Sequence, residues 1–204
     1  MARRSDHTRE ELKDLILATS WKIAGNDGFE GLTARRIAAE IGYAPGTIYN
    51  LFESMDDLYL QINARTLDRL YAILCGAACN DPAKSPAKNM KKMAGLYMEF
   101  AQGNRPYWLM LFNHRLPDGR KVQPWYQEKI DRLFDPLENL LKPLFGAKQD
   151  KKRKMAARVL WSSVHGLCFL QETGKIALVG DKAPAEAMAS YLIDTFLAGV
   201  TGDK

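Results

Sequence analysis

The sequence predicts an all-α protein, and three observations support this prediction. Apolar residues recur at helical spacing along most of the 204 residues. No segment shows the sustained alternation of apolar and polar residues that a half-buried β-strand requires. Glycine and proline residues fall between the periodic segments, where helices begin and end. We therefore expect a three-helix N-terminal domain over residues 1–54 and a C-terminal helical domain over residues 55–204, which opens with a long connecting helix at 55–79.

Three helices are expected in the N-terminal domain, separated by short turns. The first runs from about residue 9 to 26, where apolar residues lie on one face and Gly28 ends the helix. Thr33 is the N-cap of the second helix, and Gly42 follows its last turn in the left-handed position. Pro45 begins the third helix, where its missing N–H is not needed. The inward-facing apolar residues are Leu12, Ile16, Ile23, Ala24, Ile37, Ala38, Ile41, Ile48, Leu51 and Phe52.

The rest of the chain also shows helical patterns. Ser54 and Asp57 have the spacing of a capping box, so a fourth helix is expected to start here and run to about Ala78. The proline-rich segment NDPAKSPAK at residues 80–88 separates the two halves of the chain. Further helices are expected at residues 89–102, 106–113, 125–145, 149–174 and 184–200.

The distribution of charge limits how the chain can bind an acidic partner. The whole chain carries a net charge of +5, but residues 1–60 hold seven Lys and Arg against ten Asp and Glu. The N-terminal segment therefore has a net charge of −3, and residues 61–204 carry +8. If the N-terminal segment binds DNA, it must do so through a local basic face, because only contacted phosphates release counterions.

The three cysteines indicate a reduced, cytoplasmic protein. Their number is odd, and the N-terminus lacks the apolar run of a secretory signal. No stretch approaches the roughly 20 apolar residues of a membrane-spanning helix, so we expect no membrane partner. Cys75 and Cys79 lie one helical turn apart, which fits a thiol sensor or part of a metal site and equally fits ordinary buried cysteines.

The second and third helices have the geometry of a helix-turn-helix. A helix of two turns is not stable alone in water, so this pair must pack against the first and fourth helices as one rigid unit. The short turn around Gly42 sets the two helices at a steep angle, and this arrangement places the second helix of the pair in the major groove of DNA. Arg3 and Arg4 precede the first helix on an arm that can reach the minor groove.

The outward-facing residues of the third helix are small or able to form hydrogen bonds. Thr47 can contact a thymine methyl group, Tyr49 a phosphate, and Asn50 a base or a phosphate. The N-terminus of the second helix offers another phosphate site, with charge from two arginines. The candidate DNA-binding residues are Thr33, Arg35, Arg36, Ala44, Pro45, Gly46, Thr47, Tyr49 and Asn50. The competing interpretation, a purely structural helical hairpin, would favour Lys and Glu at these exposed positions.

These residues resemble the DNA-binding domain of TetR-type transcriptional regulators. The resemblance covers about residues 9–60 and rests on two runs of residues. They are Thr33-x-x-x-Ile37-Ala38-x-x-x-Gly42 and Gly46-Thr47-Ile48-Tyr49-x-x-Phe52-x-Ser54-x-x-x-Leu58. The resemblance implies a homodimer, a palindromic operator, repression of transcription, and release by a small molecule bound in the C-terminal domain.

Three further features bear on this resemblance. The run Trp161-x-x-x-His165-Gly166 resembles the signature of one subclass of C-terminal domain. Ala44 and Met55 depart from the family pattern, which usually has Ser and Lys at these positions. The missing Ser cap costs about 1 kcal/mol of helix stability, which Pro45 partly offsets. The missing Lys removes one phosphate partner, so we expect a modest DNA affinity and a modest dependence on salt.

The second half of the chain is rich in aromatic residues between positions 93 and 170. This density permits an apolar cavity between helices, and it is equally typical of a packed core. His165 likewise fits either an effector contact or a histidine of the core or an interface. We expect a flat, largely apolar effector with one or two hydrogen-bonding groups. The candidate effector-binding residues are Tyr97, Phe100, Trp108, Phe112, Trp125, Trp161, His165 and Phe169.

Two other surfaces of the C-terminal half have more than one interpretation. Gly166 permits close approach of two helices, and together with the last helix it fits a four-helix dimer interface. The basic run at residues 142–158 fits a site for nucleic acid or an acidic effector, and equally fits a solvated helix start. The residues of the last helix in this interface are Met188, Leu192, Ile193 and Phe196.

The sequence contains no recognisable catalytic motif. We find no HExxH, no GxSxG and no glycine-rich phosphate loop, and we expect no enzymatic activity, no cofactor and no metal. The favoured hypothesis is a ligand-responsive DNA-binding regulator, a repressor that acts as a homodimer. The alternative is a cytosolic helical protein that binds a small molecule or senses thiols without reading DNA. Met55 and the acidic N-terminal segment favour this alternative.

Overall fold

The computed structural model describes residues 7–76, 81–146, 148–179 and 183–202. Within these ranges the secondary structure is helical, without strands, so the predicted all-α fold is confirmed. The helices are α1 (Arg9–Asp27), α2 (Ala34–Ile41), α3 (Gly46–Leu51), α4 (Met55–Leu74), α5 (Pro86–Gly103), α6 (Arg105–Asn113), α7 (Pro124–Arg132), α8 (Asp135–Leu141), α9 (Asp150–Glu172), α10 (Ile176–Val179) and α11 (Ala185–Gly202). Short 3-10 turns occupy Phe29–Gly31 and Lys142–Leu144.

The chain forms two compact units, and each is assembled from separate stretches of sequence. The first unit contains the residues up to Leu67 together with Asn104–Tyr126. The second contains Asp68–Gly103 and the residues from Gln127 onward. Helix α6 therefore belongs to the unit that contains the helix-turn-helix, although more than 50 residues separate the two in the sequence.

The first unit is held together by one apolar core. Residues of α1 to α4 supply most of it, and Met110 of α6 is also part of it. The aromatic ring of Tyr107 in α6 stacks on Trp21 of α1 at 4.0 Å between ring centroids, and its hydroxyl donates to the Trp21 carbonyl oxygen at 3.1 Å. The buried members of this core include Ile16, Ile23, Leu32, Ile37, Ile48, Phe52, Leu58 and Ile62.

The second unit is built around α5. This helix contacts α8, α9 and α11, and its buried face is rich in methionine and aromatic side chains. Glu138 of α8 is a buried acid in this unit, and it is paired with two arginines of α9. The buried apolar residues include Met90, Met93, Tyr97, Met98, Leu140, Leu141, Leu160, Val164 and Ile193.

The prediction of one helix over residues 125–145 is wrong. The structure has α7, α8 and a 3-10 turn in this region. Pro136 lies in the first turn of α8 and Pro143 in the first turn of the 3-10 helix. A proline is tolerated at a helix start because that N–H needs no partner, but inside a helix it removes a hydrogen bond and clashes with the preceding turn. The two prolines therefore begin new helices.

Other helix boundaries differ less from the sequence-based expectation. Helix α5 begins at Pro86, within the segment that was expected to be a linker, and α10 was not predicted. Helix α4 ends at Leu74, and residues 77–80, which include Cys79 and the predicted helix end, lie outside the described residues. No helix in the described ranges is both long enough and apolar enough to cross a bilayer.

Candidate DNA-binding surface and effector cavity

The turn between α2 and α3 is fixed by caps that the sequence predicts. The Thr33 hydroxyl accepts from the Arg36 backbone N–H at 3.2 Å, so Thr33 is the N-cap of α2. Gly42 has φ 75° and ψ 28°, in the left-handed region. The Tyr43 N–H donates to the Ala38 carbonyl at 2.9 Å, as in a Schellman motif. The Thr33 bond therefore defines the start of α2, and the Gly42 conformation with the Tyr43 bond ends α2 and turns the chain toward α3.

Helix α3 buries one face and exposes the other, as the sequence predicts. Ile48 and Phe52 are almost fully buried in the core of the first unit. Five of the predicted DNA-binding residues in this stretch are exposed, among them Tyr49 at 55%, and Thr47 is half-buried. The exposed residues are Ala44, Pro45, Gly46, Tyr49 and Asn50.

The three other predicted DNA-binding residues lie at the start of α2. Thr33, Arg35 and Arg36 are all exposed. The Arg36 guanidinium group donates to the Asp27 carboxylate at 2.7 Å, which holds the arginine beside the end of α1. All nine candidate residues therefore belong to the first unit. Arg3 and Arg4 lie outside the described residues.

The first turn of α4 carries a polar cluster that the sequence-based argument missed. The Ser54 hydroxyl accepts from the Asp57 N–H at 3.2 Å, which is half of the predicted capping box, and the Asp57 carboxylate accepts from Gln61. The His114 imidazole is 2.9 Å from one carboxylate oxygen of Asp56. Arg120 approaches the same turn from the segment after α6. His114 and Arg120 are about 60 positions away from their partners in this turn, so no local spacing in the sequence indicates these contacts.

The second unit contains an apolar cavity of about 50 Å³. Tyr97 and Trp161, two of the predicted effector-binding residues, line it. The Tyr97 hydroxyl is 2.9 Å from Nδ1 of His165, and the imidazole stacks on the Trp161 ring at 5.1 Å between centroids. Burial lowers the pKa of His165, so its imidazole is neutral at pH 7. The other lining residues are Leu74, Met90, Met93, Ala94, Leu133, Phe134, Leu137, Leu160, Val164 and Ile193.

The structure does not bring the other five predicted effector-binding residues to this cavity. Phe100 is buried elsewhere in the second unit, and Phe169 is exposed. Trp108, Phe112 and Trp125 belong to the first unit, where Trp108 is fully buried. Much of the cavity wall is leucine and methionine, which a selection based on aromatic density overlooks.

Apolar side chains are exposed on the outer faces of α9 and α11. Met155 and Val159 of α9 are 64% and 50% exposed, and Tyr191 of α11 is 75% exposed. Two shallow grooves run along these helices and include Met188, Leu192 and Phe196, three of the residues predicted for a dimer interface. Ile193, the fourth, is buried and faces the cavity.

The basic run at the start of α9 is partly neutralised by acids. Arg158 donates to the Glu138 carboxylate at 2.7 Å, and Arg153 donates to the Glu138 carbonyl oxygen at 3.0 Å. Asp150, in the first turn, pairs with Arg153 and Lys154. Within the described ranges, no cluster of three or more His, Cys, Asp or Glu residues could hold a metal ion.

Two family models match the chain. Residues 16–62 match the bacterial regulatory proteins of the tetR family, and residues 90–196 match the tetracyclin repressor-like C-terminal domain. The chain belongs to the TetR family. It is thus a TetR-family transcriptional regulator with a DNA-binding helix-turn-helix. Regulators of this family are generally not enzymes. The subclass with the Trp-His-Gly signature stays a prediction.

Individual relatives of this TetR-family chain are distant in sequence. An uncharacterized HTH-type transcriptional regulator of Mycobacterium tuberculosis is 24% identical over 192 residues, which cover 92% of this chain and 81% of the relative. A Rhodococcus sp. RHA1 protein of unknown function has a TM-score of 0.70 at 20% identity, with 97% and 98% of the two chains covered. A possible TetR family regulator from Streptomyces coelicolor A3(2) has a TM-score of 0.66 at 14% identity, with 94% and 100% covered. The two solved structures support the fold alone.

Proposed function

We propose that the protein is a ligand-responsive repressor, which binds a palindromic operator as a homodimer and is released by a small, largely apolar effector. The DNA-binding role is assigned to residues 1–54, and the effector-binding and dimerisation roles to residues 55–204. The observation that carries the proposal is the exposed face of α3. Its residues are small or hydrogen-bonding, and its buried face is locked to the core by Ile48 and Phe52.

The DNA-binding part is tested by replacing two side chains of α3 that are assigned to base and phosphate contacts. Thr47→Ala and Tyr49→Ala should together weaken binding to the DNA upstream of the protein's own gene about tenfold or more, since each base or phosphate contact contributes about 1–3 kcal/mol. Both side chains lie outside the apolar core, so the melting temperature should not change. A mobility-shift assay measures the affinity. Unchanged binding by the double variant would contradict the assignment of this face.

The cavity supports an effector without a charged group. None of its twelve lining residues is Asp, Glu, Lys, Arg or His, and the hydroxyl of the lining residue Tyr97 is paired with His165, which lies behind the wall. Arg158 is not a lining residue; it lies over the ring of the lining residue Phe134 at 4.5 Å and is paired with Glu138. A buried carboxylate or ammonium group would therefore lack a partner, and such burial is costly.

The cavity must also enlarge when an effector binds. Its volume of about 50 Å³ is well below the roughly 300 Å³ of ordinary ligand pockets. Met90 and Met93 line one wall, and methionine side chains adapt readily because they are unbranched. Binding of a drug-sized molecule is expected to move these side chains, and through α5 to repack α9 and α11.

Matched probes test this effector class. 1-Hexanol, hexanoate and hexylammonium share one chain and differ in charge, and their effect on the melting temperature can be compared. We expect 1-hexanol to stabilise the protein most, and Ala94→Leu to abolish this effect by filling the cavity. Ala87→Leu, on the same helix but outside the cavity wall, is the control. Preferential stabilisation by hexanoate would contradict the assignment of an uncharged effector.

The homodimer is proposed to form through the exposed apolar faces of α9 and α11. Large exposed apolar patches mark interfaces between subunits, and helices from two copies would form a four-helix bundle here. Val159→Asp together with Tyr191→Asp should convert the dimer to a monomer in light scattering after gel filtration. Leu178→Asp, on exposed α10, is the matched control. A dimer that persists in the double variant would place the interface elsewhere.

A further inference from the structure

An acidic segment follows the recognition helix α3. Glu53, Asp56 and Asp57 lie within five residues, and residues 51–60 contain no Lys or Arg. Three carboxylates beside a DNA-binding helix would repel the phosphates that flank the groove. The local sequence alone therefore predicts a poor DNA-binding surface at this edge of the first unit.

Arg120 supplies a cation at this edge from a distant part of the sequence. Its Nη1 atom donates to the Ser54 hydroxyl at 3.0 Å and lies 3.4 Å from a carboxylate oxygen of Asp56. Its Nη2 atom is 3.9 Å from the carboxylate of Glu53. The other carboxylate oxygen of Asp56 is bonded to His114. All of these residues belong to the first unit.

The position of Arg120 is suitable for contact with the DNA backbone. Ser54 is only four residues beyond Asn50, so their Cα atoms are at most about 15 Å apart. The major groove is about 12 Å wide, and phosphate rows run along both of its sides. A guanidinium group held on Ser54 therefore lies near the phosphate row that flanks a groove occupied by α3.

The guanidinium group retains donors for a phosphate. Its contacts with Ser54 and Asp56 use Nη1, whereas an arginine carries five N–H donors in a planar fork. The Arg120 side chain is 36% exposed, and the Glu53 carboxylate near Nη2 is 77% exposed and solvated. Paired N–H donors on one guanidinium group match the geometry of a phosphate.

We propose that Arg120 is part of the DNA-binding surface, although it lies in the segment between α6 and α7 and outside the helix-turn-helix. It neutralises the carboxylates after α3 and contacts a phosphate beside the groove. This inference rests on the proposed DNA-binding function of α3. Met55 stands where the family pattern usually has Lys, and Arg120 supplies a basic group beside that position.

The dependence of DNA binding on salt tests this role. Binding of a fluorescein-labelled 30-base-pair duplex from the protein's own upstream region is followed by anisotropy from 50 to 300 mM KCl. Arg120→Gln should reduce the slope of log K against log salt concentration by about one, because one phosphate contact is lost. Arg120→Lys should keep the slope, and Lys121→Gln, which removes the same charge from the neighbouring exposed side chain, should leave it near the wild-type value.

Glu53→Gln gives a second test that does not depend on the fold of the Arg120 variants. This exposed side chain can lose its charge without loss of packing, and the variant should bind DNA more tightly because one repulsion is removed. Arg120→Gln with an unchanged salt slope would overturn the proposal, even if its affinity falls, because that result indicates a structural role only. Wild-type protein without salt-dependent binding would instead overturn the proposed function.

Discussion

Gly46 offers a test that separates DNA contact from protein stability. It is the first residue of α3 and it is exposed. A Cβ atom built on Gly46 meets no other atom within 4 Å, and its φ is not in the left-handed region. Neither packing nor backbone conformation therefore requires glycine here. Glycine at this exposed position leaves room for the close approach of DNA, which we propose as its role.

The expected effects of Gly46→Ala on stability and on binding have opposite signs. Alanine in a helix interior is more stable than glycine by up to about 1 kcal/mol, and less is expected at the first helical position. For a chain of this size, 1 kcal/mol corresponds to an increase of about 2–4 °C in the melting temperature. The added methyl group would occupy the space between α3 and the base edges, and a tenfold loss of DNA affinity equals about 1.4 kcal/mol of binding free energy.

Gly42 is the matched control for Gly46. Its φ of 75° lies in the left-handed region, although a Cβ atom would again meet no neighbour within 4 Å. Gly42→Ala should therefore lower the stability by about 1–2 kcal/mol through backbone strain alone. Thermal unfolding and DNA anisotropy on both variants give the comparison. Wild-type DNA affinity of Gly46→Ala would refute the close approach of DNA to this residue. A lowered stability of Gly46→Ala would refute the premise that neither packing nor backbone conformation requires glycine at this position.

Three further changes test other parts of the structure. Met110→Ala should destabilise the first unit by about 2–5 kcal/mol in urea unfolding, because Met110 is buried in its core, and a loss below about 1 kcal/mol would contradict that packing. Burial raises the pKa of the Cys168 thiol to about 12, so this thiol stays protonated at pH 8. In a Cys75→Ser, Cys79→Ser variant, Cys168 should therefore not be alkylated by iodoacetamide at pH 8 until urea unfolds the protein. Hydrogen bonds from Thr8 lower the pKa of Glu11, so the capping interaction is complete above about pH 4.3 and is lost as the pH falls through the lowered value. The difference in stability between wild type and Glu11→Ala should therefore shrink as the pH is lowered below about 4.3, and a constant difference would contradict a role of the ionised carboxylate in the cap.

The sequence predicts the helix-turn-helix well because its signals are local. An N-cap at Thr33, a left-handed Gly42 and an apolar stripe on each helix involve residues within about 20 positions of each other. Each signal fixes a hydrogen bond or a backbone angle regardless of the rest of the chain. The exposed and buried faces of α3 follow from helical periodicity alone. For the same reason the sequence predicts the nine candidate DNA-binding residues on one domain, and all nine lie in the first unit.

The candidate effector cavity was less predictable because it depends on contacts between distant segments. Tyr97 and His165 are separated by 68 positions, and neither position shows that the other is its partner. Aromatic residues pack into cores and onto surfaces as well as cavities, so their density does not distinguish these environments. The structure places fully buried Trp108 in one unit and cavity-lining Trp161 in the other. Leucine and methionine on the cavity wall carry no signal that separates them from an ordinary core.

Helix α6 and the segment after it support the unit that contains the helix-turn-helix, although they lie outside that motif in the sequence. Tyr107 packs on α1, Met110 enters the core, and His114 and Arg120 hold the first turn of α4 through Asp56. Any change in the position of α6 must therefore be accommodated by α1, against which α2 and α3 pack, and by the first turn of α4. The chain enters this unit after Gly103 and leaves it after Tyr126. Both junctions are direct chain connections, to α5 at the first and to α7 at the second.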